Sequence, residues 1–201
     1  MDEIVRQAMA KWPNVPHCYG WLALDARGDW RMRDEQAQGR DLPGERILNS
    51  ALVQFINRNY LQDERGCWYF QNGPQRVYVE LEATPFIART DSSHCFTLHT
   101  GEKLGLAEAV WMMEEGRLVL QGTGKAALID DRDLLHCLPL LKLDGKPLTE
   151  DSFLTYLHAG EDDGRLTLHL AGRVLPVKRV KEKDLPATFG FVRQPCLLSA
   201  R

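Results

Sequence analysis

The 201-residue chain has no apolar run approaching the ~18 residues that a membrane span requires. It has no basic excess either. Lys and Arg number 25 against 28 Asp and Glu, for a formal net charge of -3. That balance gives no electrostatic footprint for nucleic acid, which is disfavoured as a partner. The first residues, Met1 to Lys11, mix both signs and place Asp2 and Glu3 at the start, unlike the basic-then-apolar plan of a secretory signal. Five cysteines are too few and too scattered for a disulfide framework, and no Cys-x-x-Cys spacing occurs. The expectation is a reduced, cytoplasmic setting without a membrane partner.

Chemical signatures are equally sparse. Gly122-Thr123-Gly124-Lys125 invites a phosphate-loop reading, but Val119 stands where an earlier glycine is needed and Ala126 where Ser or Thr is needed. A turn after the Arg117 to Leu120 strand explains it better. Ser92-Ser93-His94 lacks the glycines of a nucleophile elbow. Histidine and cysteine are adjacent three times, at His17-Cys18, His94-Cys95 and His136-Cys137, and zinc favours both ligand types. Neighbours on a strand point to opposite faces, so a buried thiol beside a surface imidazole is the simpler account. Asp130-Asp131-Arg132-Asp133 and Glu161-Asp162-Asp163 suit helix starts and turns as well as cations. Glu80 and Glu82 share a strand face, as a solvated outer face requires. Lys178 to Lys183 reads as a solvated strand edge. No catalytic residue, metal or cofactor is predicted.

What is present is an α+β pattern. Asp2 to Lys11 predicts a short helix ended by Trp12-Pro13, because proline holds the preceding residue in extended geometry. Gly20 to Leu24 and Asp29 to Met32 alternate around Gly28 as a β-hairpin. Ile47, Leu48, Ala51, Leu52, Phe55, Ile56 and Tyr60 recur at three- and four-residue steps, predicting a helix from Glu45 to about Tyr60. Cys67 to Phe70 and Arg76 to Glu82 follow as strands, then Phe86 to Arg89 and Cys95 to His99. The order recurs later, with a hairpin around Gly116, a helix capped at Thr149 and closed by Gly160, and a strand from Arg165 to Leu170. Laid on each other, Phe55-Ile56 meet Phe153-Leu154, Gly66 meets Gly164, and Trp68 and Phe70 meet Leu166 and Leu168. One deletion later, Arg76-Val77 meet Arg173-Val174. Leu134 to Pro147 has no counterpart. The expectation is two tandem α+β subdomains, 1-100 and 101-201, related as a repeat, each a small antiparallel sheet with one main helix.

The segments Lys11-Trp12-Pro13-Asn14-Val15-Pro16, Tyr19-Gly20-Trp21-Leu22, Gly66 to Val79 and Thr84-Pro85-Phe86 resemble a proteobacterial family of unknown function. The resemblance covers about the first 90 residues well and the remainder thinly. The layout is also similar to a second uncharacterised proteobacterial family, with a glycine hairpin, a helix, an Asp-x-x-Gly turn, strands and Ala-x-Pro-Phe, here Ala83-Thr84-Pro85-Phe86. That resemblance implies a two-part α+β structure with repeated motifs and a regulatory role. Neither family brings a catalytic residue with it.

The aromatics are unevenly placed. Eleven of seventeen precede residue 90, so the first half is where a binding face is expected. A strand such as Trp68-Tyr69-Phe70 cannot bury every ring on one side. Tyr69 and Tyr78 therefore become candidates for an exposed or half-covered aromatic face, with Trp21, Trp30, Gln71 and Arg76 as further binding candidates. The blander account is that the second half covers those rings, and a homo-oligomer contact is a third. The functional expectation is a non-enzymatic binding or regulatory module for a protein or small molecule. The alternatives are a metal-assisted hydrolase using His94, His99 or His136 with a carboxylate, and, more weakly, a single-stranded nucleic-acid binder.

Overall fold

The computed structural model describes residues 1–160 and 164–197. Two compact units emerge, Met1–Pro85 with Phe189–Arg201, and Phe86–Thr188. The division thus falls at Pro85, not near residue 100, and the C-terminal segment returns to the first unit. The returning segment is held there: Val192 bridges Cys67, the amide of Leu81 donates to the carbonyl of Arg193 at 2.9 Å, and Phe191 is buried.

The first unit opens with helix α1 (Glu3–Lys11), whose acidic start and basic end suit the helix dipole. Strands β1 (Cys18–Leu24) and β2 (Trp30–Met32) form the expected hairpin, followed by the short helix α2 (Glu35–Gly39). The expected helix from Glu45 is instead split. Glu45–Arg46 form β3 against β2, and α3 runs only over Ser50–Arg58. Asn49 is the reason: its side chain accepts from the amide of Leu52 and starts the helix there. Ile47 donates its amide to Trp30, and Leu48 is left 80% exposed. Tyr60 belongs to the next strand, β4 (Tyr60–Gln62), which precedes β5 (Trp68–Asn72) and β6 (Gln75–Leu81). The sheet order is β3-β2-β1-β6-β5-β4, with β1 and β6 parallel, so the sheet is mixed rather than purely antiparallel.

The second unit contributes β7 (Phe86–Arg89), β8 (Thr97–Leu98), β9 (Ala109–Met112), β10 (Leu118–Gly122) and β11 (Lys125–Ile129). A short α4 (Leu134–Cys137), β12 (Leu141–Leu143) and β13 (Lys146–Pro147) lead to helix α5 (Glu150–Ala159). Strands β14 (Leu166–Leu170) and β15 (Arg173–Arg179) follow, and α6 (Leu185–Phe189) ends on the first residue assigned to the first unit. The order is β13-β12-β14-β15-β9-β10-β11-β7-β8. Leu118, Val119, Leu120, Ala127 and Leu128 are fully buried, as expected of central strands covered on both faces. Lys178 is not at an edge, because β15 lies between β14 and β9.

The two units share one pairing scheme over the central strands, apart from a register shift between Cys18 and Leu22 in the first. Leu22, Ala23 and Leu24 pair with Met32, Arg31 and Trp30 and run parallel to Val79, Glu80 and Leu81. Val110, Trp111 and Met112 pair with Leu120, Val119 and Leu118 and run parallel to Val177, Lys178 and Arg179. The turns agree too. Gly28 donates to Asp25 and Gly116 to Met113, both glycines at positive φ. In the later hairpins Tyr69 pairs with Tyr78 and Thr167 with Pro176, and Asn72 with Gln75 and Leu170 with Arg173. No deletion is needed: Gln75, not Arg76, stands at the place of Arg173. The unmatched segment supplies β12, which lies against β14 as β4 lies against β5.

Candidate functional site

The hairpin of β5 and β6 sorts the aromatic residues onto two faces. Tyr69 and Gln71 point one way, with their cross-strand partners Tyr78 and Arg76. Trp68 and Phe70 point the other way, where Phe70 meets Phe55 at 5.3 Å and Trp68 meets Tyr60 at 4.7 Å. Trp30 belongs to that helix-side core. Its ring meets Tyr60 edge-on at 5.1 Å and its Nε1 donates to Asn57 at 2.7 Å. Four of the six candidates therefore share a face, Trp30 is core, and Trp21, 39% exposed on β1, makes no ring contact with the cluster among the described residues.

The shared face is not an exposed aromatic surface. Tyr69 and Tyr78 are only 6% and 2% exposed, and Gln71 is fully buried, its Nε2 donating to Gly73. Tyr19 and Arg65, which were not among the binding candidates, form the roof together with His17 and the candidate Arg76. Tyr19 stacks on Tyr78 at 4.6 Å and 3°, and His17 meets its edge at 5.7 Å. The Arg65 guanidinium lies over Tyr78 at 5.3 Å and that of Arg76 over Tyr69 at 4.7 Å, both cation–π distances. Arg65 is present because of the turn before β5, where Asp63 Oδ1 accepts the amides of Arg65 and Cys67 at 3.0 and 2.9 Å. Asp63 Oδ2 then accepts from Arg65 Nε and the Tyr78 hydroxyl, each at 3.0 Å. The Asp-x-x-Gly spacing of Asp63 and Gly66 was the legible signal, and it announced a turn only.

Electrostatics follow from this packing. Burial pushes Asp63 upward, but its donors from Cys67, Tyr78 and Arg65 outweigh that and hold its carboxyl below the usual range. Burial also lowers His17, and the charges of Arg76 and Arg65 lower it further. The imidazole is therefore disfavoured as a cation beside two permanent ones. No ion pair joins Arg76 to a carboxylate among the described residues, so the cluster holds two guanidiniums against the single carboxylate of Asp63. Such an array is suited to binding an anion.

The second unit acts as an internal control. At the positions of Tyr69, Gln71, Arg76 and Tyr78 it has Thr167, His169, Val174 and Pro176, yet the hairpin pairs identically. Strand pairing does not demand the tyrosine and arginine set.

Two of the three histidines of the hydrolase alternative have their rings engaged by the backbone. His94 Nε2 contacts the carbonyl of His136 at 3.0 Å, and His99 Nδ1 accepts the amide of Ile87 at 3.2 Å. Cys137 is buried, and burial followed by the charge of Asp133 pushes its thiol up to about 12. Among the described residues no group of three or more His, Cys, Asp or Glu side chains is placed to hold a metal ion. Asp130 and Asp133 are buried and answered by Arg132 and Arg89. Glu161-Asp162-Asp163 lies outside the described residues. Gly122 and Lys125 close a hairpin turn between β10 and β11.

A family model, DUF2944, described as "Protein of unknown function (DUF2946)", matches residues 1–196. The chain belongs to this family. No curated protein matches it. Among solved structures it is similar to a DUF1285 family protein from Silicibacter pomeroyi DSS-3, at 16% identity and a TM-score of 0.51, covering 90% of this chain and 97% of that one. That likeness concerns the fold alone. A DUF1285 family protein from Shewanella baltica OS155 aligns at 11% identity and a TM-score of 0.35 over 56% of this chain and 85% of that one. No helix among the described residues is long and apolar enough to cross a membrane.

Proposed function

We propose that this chain is a non-enzymatic binding or regulatory module of the cytoplasm that recognises a carboxylate or phosphate group on Arg65 and Arg76. The observation that carries the reading is the pair of guanidiniums lying over Tyr78 and Tyr69, with Asp63 as their single carboxylate. Contact with the rings restrains the two arginine side chains before a ligand arrives, which reduces the ordering cost of binding. The free thiols of Cys18, Cys67, Cys95, Cys137 and Cys196 support a reducing compartment. The net charge of -3 favours a small molecule or protein over nucleic acid. The matching registers support descent of both units from one ancestor, with ligand recognition in the aromatic-rich first unit and a structural role for the second.

The test is an NMR titration of the full chain with inorganic phosphate. Phosphate should shift resonances of Arg65, Arg76 and Tyr19 and raise the pKa of His17 by offsetting the arginine charges. Arg76→Leu should weaken phosphate binding by about tenfold, the loss of a charge-assisted pair worth about 1.5 kcal/mol or more. Shifts spread evenly over surface lysines, or a His17 titration untouched by phosphate, would defeat the reading.

A further inference from the structure

The shared register also shows where the first unit lacks something the second has. Ala23 stands at the place of Trp111, flanked by Arg31 and Glu80 where Trp111 is flanked by Val119 and Lys178. In the second unit Trp111 is 9% exposed and the Lys178 ammonium lies over its ring at 5.5 Å. In the first unit the alanine leaves a hollow of about 220 Å³ lined by Ala23, Asp25, Arg31, Arg33, Glu80 and Glu82. A ring and a cation in one unit thus correspond to a hollow and a carboxylate in the other.

The walls of the hollow are already set by ion pairs. Arg31 binds Asp25 at 2.8 Å, and the buried Arg33 binds Asp41 at 3.1 Å and also Glu80. Glu82 Oε2 accepts only an uncharged donor, the amide of Ala26, at 3.0 Å. Four carboxylates thus face two guanidiniums, and the excess charge at the mouth is negative. The volume is below the roughly 300–1,000 Å³ of pockets for drug-sized ligands, which suits a single or fused ring.

We propose that this hollow is a binding site for a small arylalkylamine. Its ring takes the space that the Trp111 side chain fills in the second unit, and its protonated amine lies at Glu80 and Glu82. This site is separate from the Arg65–Arg76 surface and takes the opposite charge.

Calorimetry of the full chain with tryptamine, and with indole-3-propionate as its acidic counterpart, tests the assignment. Tryptamine should bind with one-to-one stoichiometry and the acid at least tenfold more weakly. Ala23→Trp installs the residue the repeat already accommodates, so the melting temperature should hold while tryptamine binding is lost. Glu82→Gln, an exposed change, should weaken tryptamine severalfold, and Arg76→Leu should leave it unchanged. Equal binding of amine and acid, retention by a folded Ala23→Trp chain, or no tryptamine binding at millimolar concentration would overturn the proposal. If Ala23→Trp does not fold, tryptamine-induced amide shifts in the wild-type chain decide: confined to Ala23, Glu80 and Glu82 they support the site, and elsewhere they refute it.

Discussion

Asp63 shows how one carboxylate organises a surface. It is nearly buried and accepts two amides, a guanidinium and a hydroxyl, so its folded pKa lies below the unfolded value. A depressed carboxyl stabilises the fold above its unfolded pKa, and that contribution disappears as pH falls through the folded value. Asp63→Asn should therefore cost about 1.5–3 kcal/mol at pH 7, the range for hydrogen bonds to a charged group. Urea unfolding of both proteins at pH 7 and at successively lower pH below the unfolded carboxyl range checks this, with the gap narrowing as the acid strengthens. A gap that persists at low pH would mean that the substitution removes geometry rather than charge. The same residue positions Arg65 over Tyr78, so weakened phosphate binding should accompany the loss.

Elements were legible where local chemistry acted alone. Helix α5 begins at Thr149, whose hydroxyl accepts from Ser152 while the Ser152 side chain answers the Thr149 amide, and it ends at Gly160 in the left-handed conformation. Thr149→Ala should destabilise the first turn by about 1 kcal/mol, the usual worth of such a cap. Amide exchange at Phe153, which bonds to the Thr149 carbonyl, should quicken about fivefold. Helix α3 was harder. Ile47 and Leu48 continued the apolar spacing, but Glu45 and Arg46 had strand partners in Met32 and Arg31 that no local pattern could reveal. Asn49 carried the cap signal, and sheet pairing decided the rest. Lys178 is the converse case: its basic neighbourhood read as an edge, while parallel pairing with β9 placed its strand inside the sheet.

At the scale of the whole molecule, the first unit depends on residues far along the chain. Phe191 is buried in it, and Val192 and Arg193 bond to Gly66 and Leu81. Phe191→Ala should cost about 3–5 kcal/mol, as expected for a buried phenylalanine reduced to alanine. Hydrogen exchange should show the loss in β5 and β6, with Leu118, Val119 and Leu120 still protected in the second unit. Uniform loss across both units would mean that they unfold as one cooperative body.

By itself the sequence determined the α+β class, the glycine turns, the helix at Thr149 and the recurrence of hairpin, helix and hairpin, because each depends on periodicity or on a local cap. It also marked Tyr69, Gln71, Arg76 and Tyr78, since cross-strand neighbours follow from alternation once a hairpin is recognised. Only the tertiary structure decided that Tyr69 and Tyr78 are roofed by Tyr19, Arg65 and Arg76, that Trp30 belongs to the core, and that residues 189–197 return to the first unit. It alone set Ala23 against Trp111 as equivalent positions. Those facts depend on contacts between residues distant in the chain, and the strand register that creates them leaves no trace in local composition.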